Sequence, residues 1–249
     1  MLGFRRARVS GPSTSPEPGF PVHLFLTDRL ACPRCGPDFG LILLARKTMD
    51  RRVYDGDLGC PNCRDQFPVR DGFADLRPPP RTSDQGGGWP APESEGGGDA
   101  SSQEEALRMA ATMGVTEGPG TLLVIGPAAR FAGGVSRLIG GVEVVGIHPA
   151  LEGVEEEEGV SRIRARGILP FMPASFRGVL LSGGVENPLL AEAFRVVSPG
   201  GRVVIFDPRP ENVSWVEEAG ATILLREAGV LVARQEEVDT QPLVTLRGL

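Results

Sequence analysis

Lysine is nearly absent from this 249-residue chain: Lys47 is the only one, and the rest of the basic charge is arginine. A lysine Schiff base or buried lysine base is therefore excluded over most of the sequence. Histidine (His23, His148) and tyrosine (Tyr54) are almost as scarce, so an enzyme of this composition has to lean on carboxylates for acid–base chemistry. No apolar run approaches the ~20 residues of a membrane-spanning helix, and the first residues lack the apolar core of a secretory signal. The expectation is a cytoplasmic protein with no transmembrane segment of its own, peripheral association with a membrane complex remaining open. A net charge of −6 argues against broad phosphate neutralisation, so no broad nucleic-acid binding is expected, a local basic patch apart. What is present is ordinary for a globular chain: 41% apolar residues and a mean hydropathy of −0.06, over a length that allows one full core plus a smaller module.

Cysteine is also rare, and all of it is spent in one pattern. CPRC (Cys32, Cys35) and CPNC (Cys60, Cys63) stand 24 residues apart. Each pair can form a knuckle that aims two thiolates at one point, and two knuckles complete a tetrahedral four-sulfur shell for Zn2+. With no open position in the shell, the metal is expected to be structural. Two disulfides and a redox C-x-x-C are the competing readings; a cytosolic compartment argues against the first and the doubled motif against the second. Between the pairs lie the apolar LILL strand and a turn-like YDGD, and after them FPVRDGFADLRP.

The stretches flanking this module cannot build a core. Residues 1–22 combine Arg5, Arg6 and Arg8 with Pro, Ser and Gly, which reads as a disordered arm or as an extended arm that docks on a partner or an anionic surface. Residues 81–102 hold two GGG runs, several prolines and the lone Trp89, a linker that marks a domain boundary. The division is then arm 1–22, zinc ribbon 23–80, linker 81–102, an α/β domain 103–240 and a tail 241–249.

In that last domain, helical and strand patterns alternate. A helix over 103–113 stops at Gly114, and Leu122 to Ile125 forms a strand buried on both faces. A helix around 131–139 follows, then strand Val142 to Ile147, the charged segment EGVEEEEGVSRIRAR, and a strand over Gly178 to Leu181. Helix 189–197, strand Arg202 to Phe206, helix 212–219 and a closing pair, ATILLR and GVLVARQ, complete the chain. Alternation of this kind predicts a parallel sheet with helices on both faces and an antiparallel edge. The Glu155 to Glu158 run reads as a solvated face or as a contact for an arginine-rich partner.

Two resemblances follow from these residues. CPRC, LILL, CPNC and FPVRDGFADLRP resemble the zinc ribbons of the small activator subunits of tRNA and protein methyltransferases, over roughly residues 24–78, with Phe67 where that family usually has tyrosine. The resemblance implies a binding surface rather than a catalytic one. LLAEAFRVVSPGGRVVIFDP, LPFMPASFRGVLLS and VEVVGIHP resemble class I S-adenosylmethionine-dependent methyltransferases over roughly 104–235. The implied fold class is α/β, a Rossmann-like methyltransferase-type sheet with an N-terminal zinc-ribbon module.

Carried onto this chain, the family's S-adenosylmethionine site departs at each polar position. The first-strand acid falls at Val124, the glycine-rich loop reads Gly126, Pro127, Ala128, Ala129, Arg130, and the ribose-binding acid falls at His148. The acid before Leu-Pro-Phe is replaced within Ala165, Arg166 and Gly167, and that of Ser-Phe-Asp by Arg177. Losing three charge-assisted hydrogen bonds of about 1.5–3 kcal/mol each weakens binding by several orders of magnitude. Glu143, Glu152 and Asp207 are the acids able to compensate.

The expected function is a non-catalytic interaction or scaffold subunit of a larger assembly, contacted through the arm, the linker and the ribbon face, with no catalytic residue. The alternative is an active methyltransferase whose ribbon recruits substrate and whose cofactor contacts are Gly126, Ala128 and His148. A third reading is a binder of some other nucleotide or metabolite. Loss of the metal is expected to unfold the ribbon and leave the second domain folded.

Overall fold

The computed structural model describes residues 22–81, 99–152, 157–227 and 229–236. The readings made for the arm, the Trp89 linker and the tail lie, apart from segment ends, outside the described residues, as does part of the glutamate run.

The ribbon comprises β1 (Val22–His23), the short helix α1 (Leu24–Thr27), β2 (Ala31–Cys32), β3 (Gly36–Gly40), β4 (Ile42–Met49), β5 (Arg52–Gly59), β6 (Gln66–Arg70) and β7 (Phe73–Asp75). The LILL run enters β4 as expected, but YDGD is not a turn: Tyr54 to Asp57 lie inside β5. The reversal falls instead at Asp50 and Arg51, both in the left-handed region with φ of 48° and 62°. Asp55 and Asp57 alternate onto one face of β5, where Arg46 and Arg70 pair with both, and this cross-strand pairing fits a strand. Gly56 is required because a Cβ there would stand 2.9 Å from the Leu44 carbonyl oxygen of β4.

The second part runs α2 (Asp99–Met113), β8 (Gly120–Ile125), α3 (Ala132–Leu138), β9 (Val142–Ile147), β10 (Val160–Arg164), β11 (Phe176–Leu181), α4 (Asn187–Val196), β12 (Val197–Phe206), α5 (Pro210–Glu218), β13 (Thr222–Glu227) and β14 (Val230–Arg234). Helices α2, α4 and α5 start two to four residues earlier than their periodicity suggests; α4 and α5 each take a proline into their first turn, where its missing N–H costs nothing. The strand order is β10-β9-β8-β11-β12-β14-β13. The first five are parallel and β14 is antiparallel to both neighbours, as the closing hairpin predicted. This is a doubly wound, Rossmann-like α/β arrangement, with its topological switch point between β8 and β11. No described helix is long and apolar enough to cross a membrane.

The ribbon is joined to this sheet by more than a tether. β7 pairs parallel to β10, with Phe73, Ala74 and Asp75 opposite Arg162, Ile163 and Arg164, so ribbon and α/β strands form one twelve-stranded sheet. Below the ladder, Ala31 N–H donates to the Pro170 carbonyl at 2.9 Å and Met172 N–H to the Arg29 carbonyl at 2.8 Å. Leu30, Leu76, Ile163, Phe171 and Phe176 belong to one buried cluster that crosses the junction. Full burial of Leu30 and Phe171 contributes roughly 1.5–3 kcal/mol each. A polar group reinforces the same seam. Arg52 grips Glu143 bidentately, with Nη2 to Oε2 at 2.8 Å, the Ser161 hydroxyl donates to Glu143 Oε1, and His23 N–H donates to Ser161 Oγ at 2.9 Å.

Candidate functional site

The four cysteines converge as their spacing predicts. Cys32 Sγ stands 3.7 Å from Cys63 Sγ, and Cys35 Sγ 3.8 Å from Cys60 Sγ; all four sulfurs lie within 4.8 Å of one another. These separations are far beyond the ~2.05 Å of a disulfide. They match the ~3.8 Å edge of a tetrahedron whose metal–sulfur bonds are ~2.3 Å long. Each knuckle is closed by a left-handed residue just after its second cysteine, Gly36 (φ 91°) and Arg64 (φ 64°). Cys32 and Cys60 are buried, and Asn62 Nδ2 donates to Cys35 Sγ at 3.3 Å. Burial pushes the Cys32 and Cys63 thiols up, and at Cys63 the neighbouring thiols help raise it to about 12. At Cys60 burial is opposed by the backbone N–H groups of Cys63 and Asn62 and by the Cys32 and Cys63 thiols, which together draw the thiol down to about 7. The residues present fit one metal ion held by four sulfurs.

The second candidate region is the carboxyl end of the parallel strands, where α/β sheets bind ligands beside the switch point. Gly126 follows β8 with φ 92° and ψ −164°, and residues Pro127–Phe131 form a single 3-10 turn. The space a side chain would take at Gly126 is filled by the neighbouring strand's backbone: a Cβ there would lie 2.1 Å from the Ser182 carbonyl oxygen. The Ser182 hydroxyl accepts from Ala128 N–H at 2.9 Å and donates to the Ile125 carbonyl at 3.1 Å. Gly126 N–H donates to the Ile147 carbonyl at 3.0 Å, and Ala129 N–H to the Gly126 carbonyl at 2.9 Å. The amides at positions 126, 128 and 129 are thus engaged by the protein. Ala128 is buried.

His148, at the end of β9, is buried, and its Nδ1 accepts from Ala150 N–H at 3.2 Å, capping the turn Pro149–Leu151. That turn folds back over the strand, with Leu151 on Gly146, where a Cβ would meet Leu151 Cδ1 at 2.8 Å. Of the acids able to compensate, Glu143 sits at the opposite end of β9, in the Arg52 seam. Glu152 pairs with Arg164, and Asp207, at the end of β12, borders a cleft of about 880 Å³ with Ala106, Arg108, Pro127, Ala128 and Phe206. Arg108 stacks its guanidinium 4.6 Å from the centre of the Phe206 ring in this cleft. Arg177 is turned to the amino end of the sheet, donating to the Glu117 and Pro119 carbonyls at 2.6 and 3.0 Å.

Sequence reasoning overlooked Ser182, Arg52 and Ser161. Ser182 had no marker beyond the two glycines after it, Arg52 matters through Glu143, 91 residues away, and Ser161 through Glu143 and through His23, 138 residues away.

No family model and no curated protein sequence matches the chain. Among solved structures, it is similar to the [4+2]-cyclase SpnF at 14% identity and TM-score 0.46, over 61% of this chain and 87% of that one. A chain from the complex that contains the Haloferax volcanii Trm112 methyltransferase activator is similar at 16% identity and TM-score 0.45, over 57% and 92%. The geranyl diphosphate C-methyltransferase of Streptomyces coelicolor A3(2) is similar at 12% identity and TM-score 0.43, over 53% and 75%.

Proposed function

We propose that the chain is a catalytically silent methyltransferase-like protein that works as an interaction subunit of a larger assembly, with Zn2+ as the ion of its ribbon. The observation that carries this reading is the closed loop after β8. The amides of Gly126, Ala128 and Ala129 are bonded within the protein, and His148 spends Nδ1 on a backbone turn. A sulfonium donor needs anions for its ammonium and ribose hydroxyls; this rim offers none at positions 124 and 148. The ribbon supplies the contact surface, and its ion fixes the two knuckles.

Titration calorimetry with S-adenosylmethionine and S-adenosylhomocysteine up to millimolar concentration tests the proposal. No saturable heat is expected, and micromolar binding would overturn it. The rival reading, an active methyltransferase, is favoured by the cleft beside Ala128, whose volume suits a small molecule and whose wall carries Glu105 and Asp207. The same titration separates the two, because Asp207→Asn would then abolish binding.

A further inference from the structure

The ribbon's outer strand has one side without a partner among the described strands. β4 pairs with β5 along one side and with no other described strand, so alternate N–H and C=O groups from Ile42 to Met49 face away from the sheet. Its side chains are no better covered. Ile42 and Leu44, two residues apart and so on one face, are 57% and 56% exposed, whereas Val53 and Leu58 on β5 are fully buried. An open edge bearing exposed aliphatic side chains is a template for strand addition.

The two halves of β4 differ. Register shifts on either side of Lys47 blunt the second half, and the regular, apolar part runs from Ile42 to Ala45. Beyond it the hairpin carries two cations without carboxylate partners among the described residues: Lys47, whose Nζ stands 5.2 Å from the Tyr54 ring, and Arg51 at the reversal. Arg46 and Arg70 differ, being saturated by Asp55 and Asp57. With the Asp50 carboxylate at the same reversal, which likewise has no ion-pair partner among the described residues, Lys47 and Arg51 leave a newcomer one net positive charge. That disfavours the chain's own arm, which brings Arg5, Arg6 and Arg8, and a second copy of β4, which would set Arg46 and Lys47 against themselves.

We infer that the β4 edge is a docking site for an extended segment of a partner protein, one that alternates aliphatic residues with acidic ones and adds as a strand beside Ile42 to Ala45 with its acids toward Lys47 and Arg51. The inference rests on reading the ribbon as a contact surface but not on the absence of catalysis, so detection of S-adenosylmethionine binding leaves it intact.

Fluorescence polarisation with the full chain, metal bound, tests it using labelled nonapeptides that alternate valine with glutamate or valine with lysine. The glutamate peptide is expected to bind at least about tenfold more tightly at low ionic strength. Lys47→Glu with Arg51→Glu should cancel or reverse that preference. Ile42→Asn with Leu44→Asn, positions already exposed, should abolish binding while the circular dichroism and metal content stay unchanged. Methylating alternate backbone nitrogens along one edge of the peptide should abolish it too. Equal binding of both peptides, no binding of either, or retained binding by both edge-methylated forms would overturn the inference. So would binding that emerges only when residues 1–21 are deleted, which assigns the edge to the arm. A dimer dissolved by the asparagine pair would assign it to a second copy.

Discussion

Replacing Glu143 by glutamine removes one charge from the seam between ribbon and α/β sheet while keeping the side chain's shape. The side chains of Arg52 and Glu143 are 8% and 13% exposed, so the guanidinium left behind has little water to turn to. Breaking such a buried pair from one side costs about 3–5 kcal/mol. Further contacts of Arg52 and the hydrogen bonds a glutamine still accepts place this case near the lower end, about 3 kcal/mol. For a chain of this length each kcal/mol moves the melting temperature by about 2–4 °C, which gives a drop of about 6–12 °C. Burial also predicts that the loss persists in high salt, unlike that of the exposed Arg46–Asp55 pair. The assay is thermal unfolding of Glu143→Gln, Arg52→Met and the double variant, with hydrogen exchange alongside. The coupling between the two sites should reach about 2–3 kcal/mol, within the range of residues in contact. Exchange should rise first at 73–75 and 160–164, before the central strands β8 and β11 respond. A single-variant loss under about 1 kcal/mol, or additive effects, would refute the view that this pair clamps the two parts together.

Three more outcomes follow from the same contacts. Gly126→Ala should cost at least about 2 kcal/mol in urea unfolding, because its Cβ meets the Ser182 carbonyl at 2.1 Å at a φ of 92°; an effect within about 0.5 kcal/mol would show that the loop after β8 is free to move. Metal chelation, or Cys60→Ser, should lower the melting temperature of the whole chain in one transition rather than melt the ribbon alone, since Leu30 and Phe171 share a core; an unchanged upper transition would restore the tethered-module expectation. His23 is held below its ordinary pKa by burial and by Arg52 and Arg51, against the pull of Glu143. The folded state therefore binds fewer protons than the unfolded one just below pH 6.5, and stability present above that value is lost as pH falls further. His23→Asn, which keeps an acceptor for Phe25 N–H, should flatten that slope in pH-dependent unfolding, and an unchanged slope would place the titrating group elsewhere.

Local features of the chain were legible from its letters. Leu122 to Ile125, Val144 to Ile147 and Val203 to Phe206 carry the apolar runs of strands covered on both faces, and two C-x-x-C pairs leave little choice of ligand set. Asp55-Gly56-Asp57 reads as a turn because acids around a glycine usually mark a reversal, whereas here each acid is neutralised by arginines of the two flanking strands. Glu143 stands in the strand from which a compensating acid is expected, but the parallel register places it at the end away from Gly126. Sequence separation hides such facts, for nothing near residue 143 indicates that residue 52 will lie against it.

The segment VSRIR shows how far this goes. Its polar letters make it look like the tail of a charged loop, yet it is β10, with Ser161 and Arg162 buried. In a bare doubly wound sheet this strand would be an edge, and arginines at the alternate positions Arg162 and Arg164 are what an edge exposed to water carries. In this chain β7 covers the edge, and the polar groups are retained because each acquires a partner: Ser161 donates to Glu143, Arg162 Nη1 to the Leu151 carbonyl at 3.2 Å, and Arg164 pairs with Glu152. The ribbon thus completes an edge that is polar by composition, joining it through the Arg52–Glu143 and His23–Ser161 contacts and through a buried apolar cluster beneath the ladder that includes Leu30, Leu76, Ile163, Phe171 and Phe176. A seam made this way is specific in register, because a slip of one residue would bury Arg162 and Arg164 against the wrong groups. Among the described strands it also leaves β4 as the ribbon's unpaired edge.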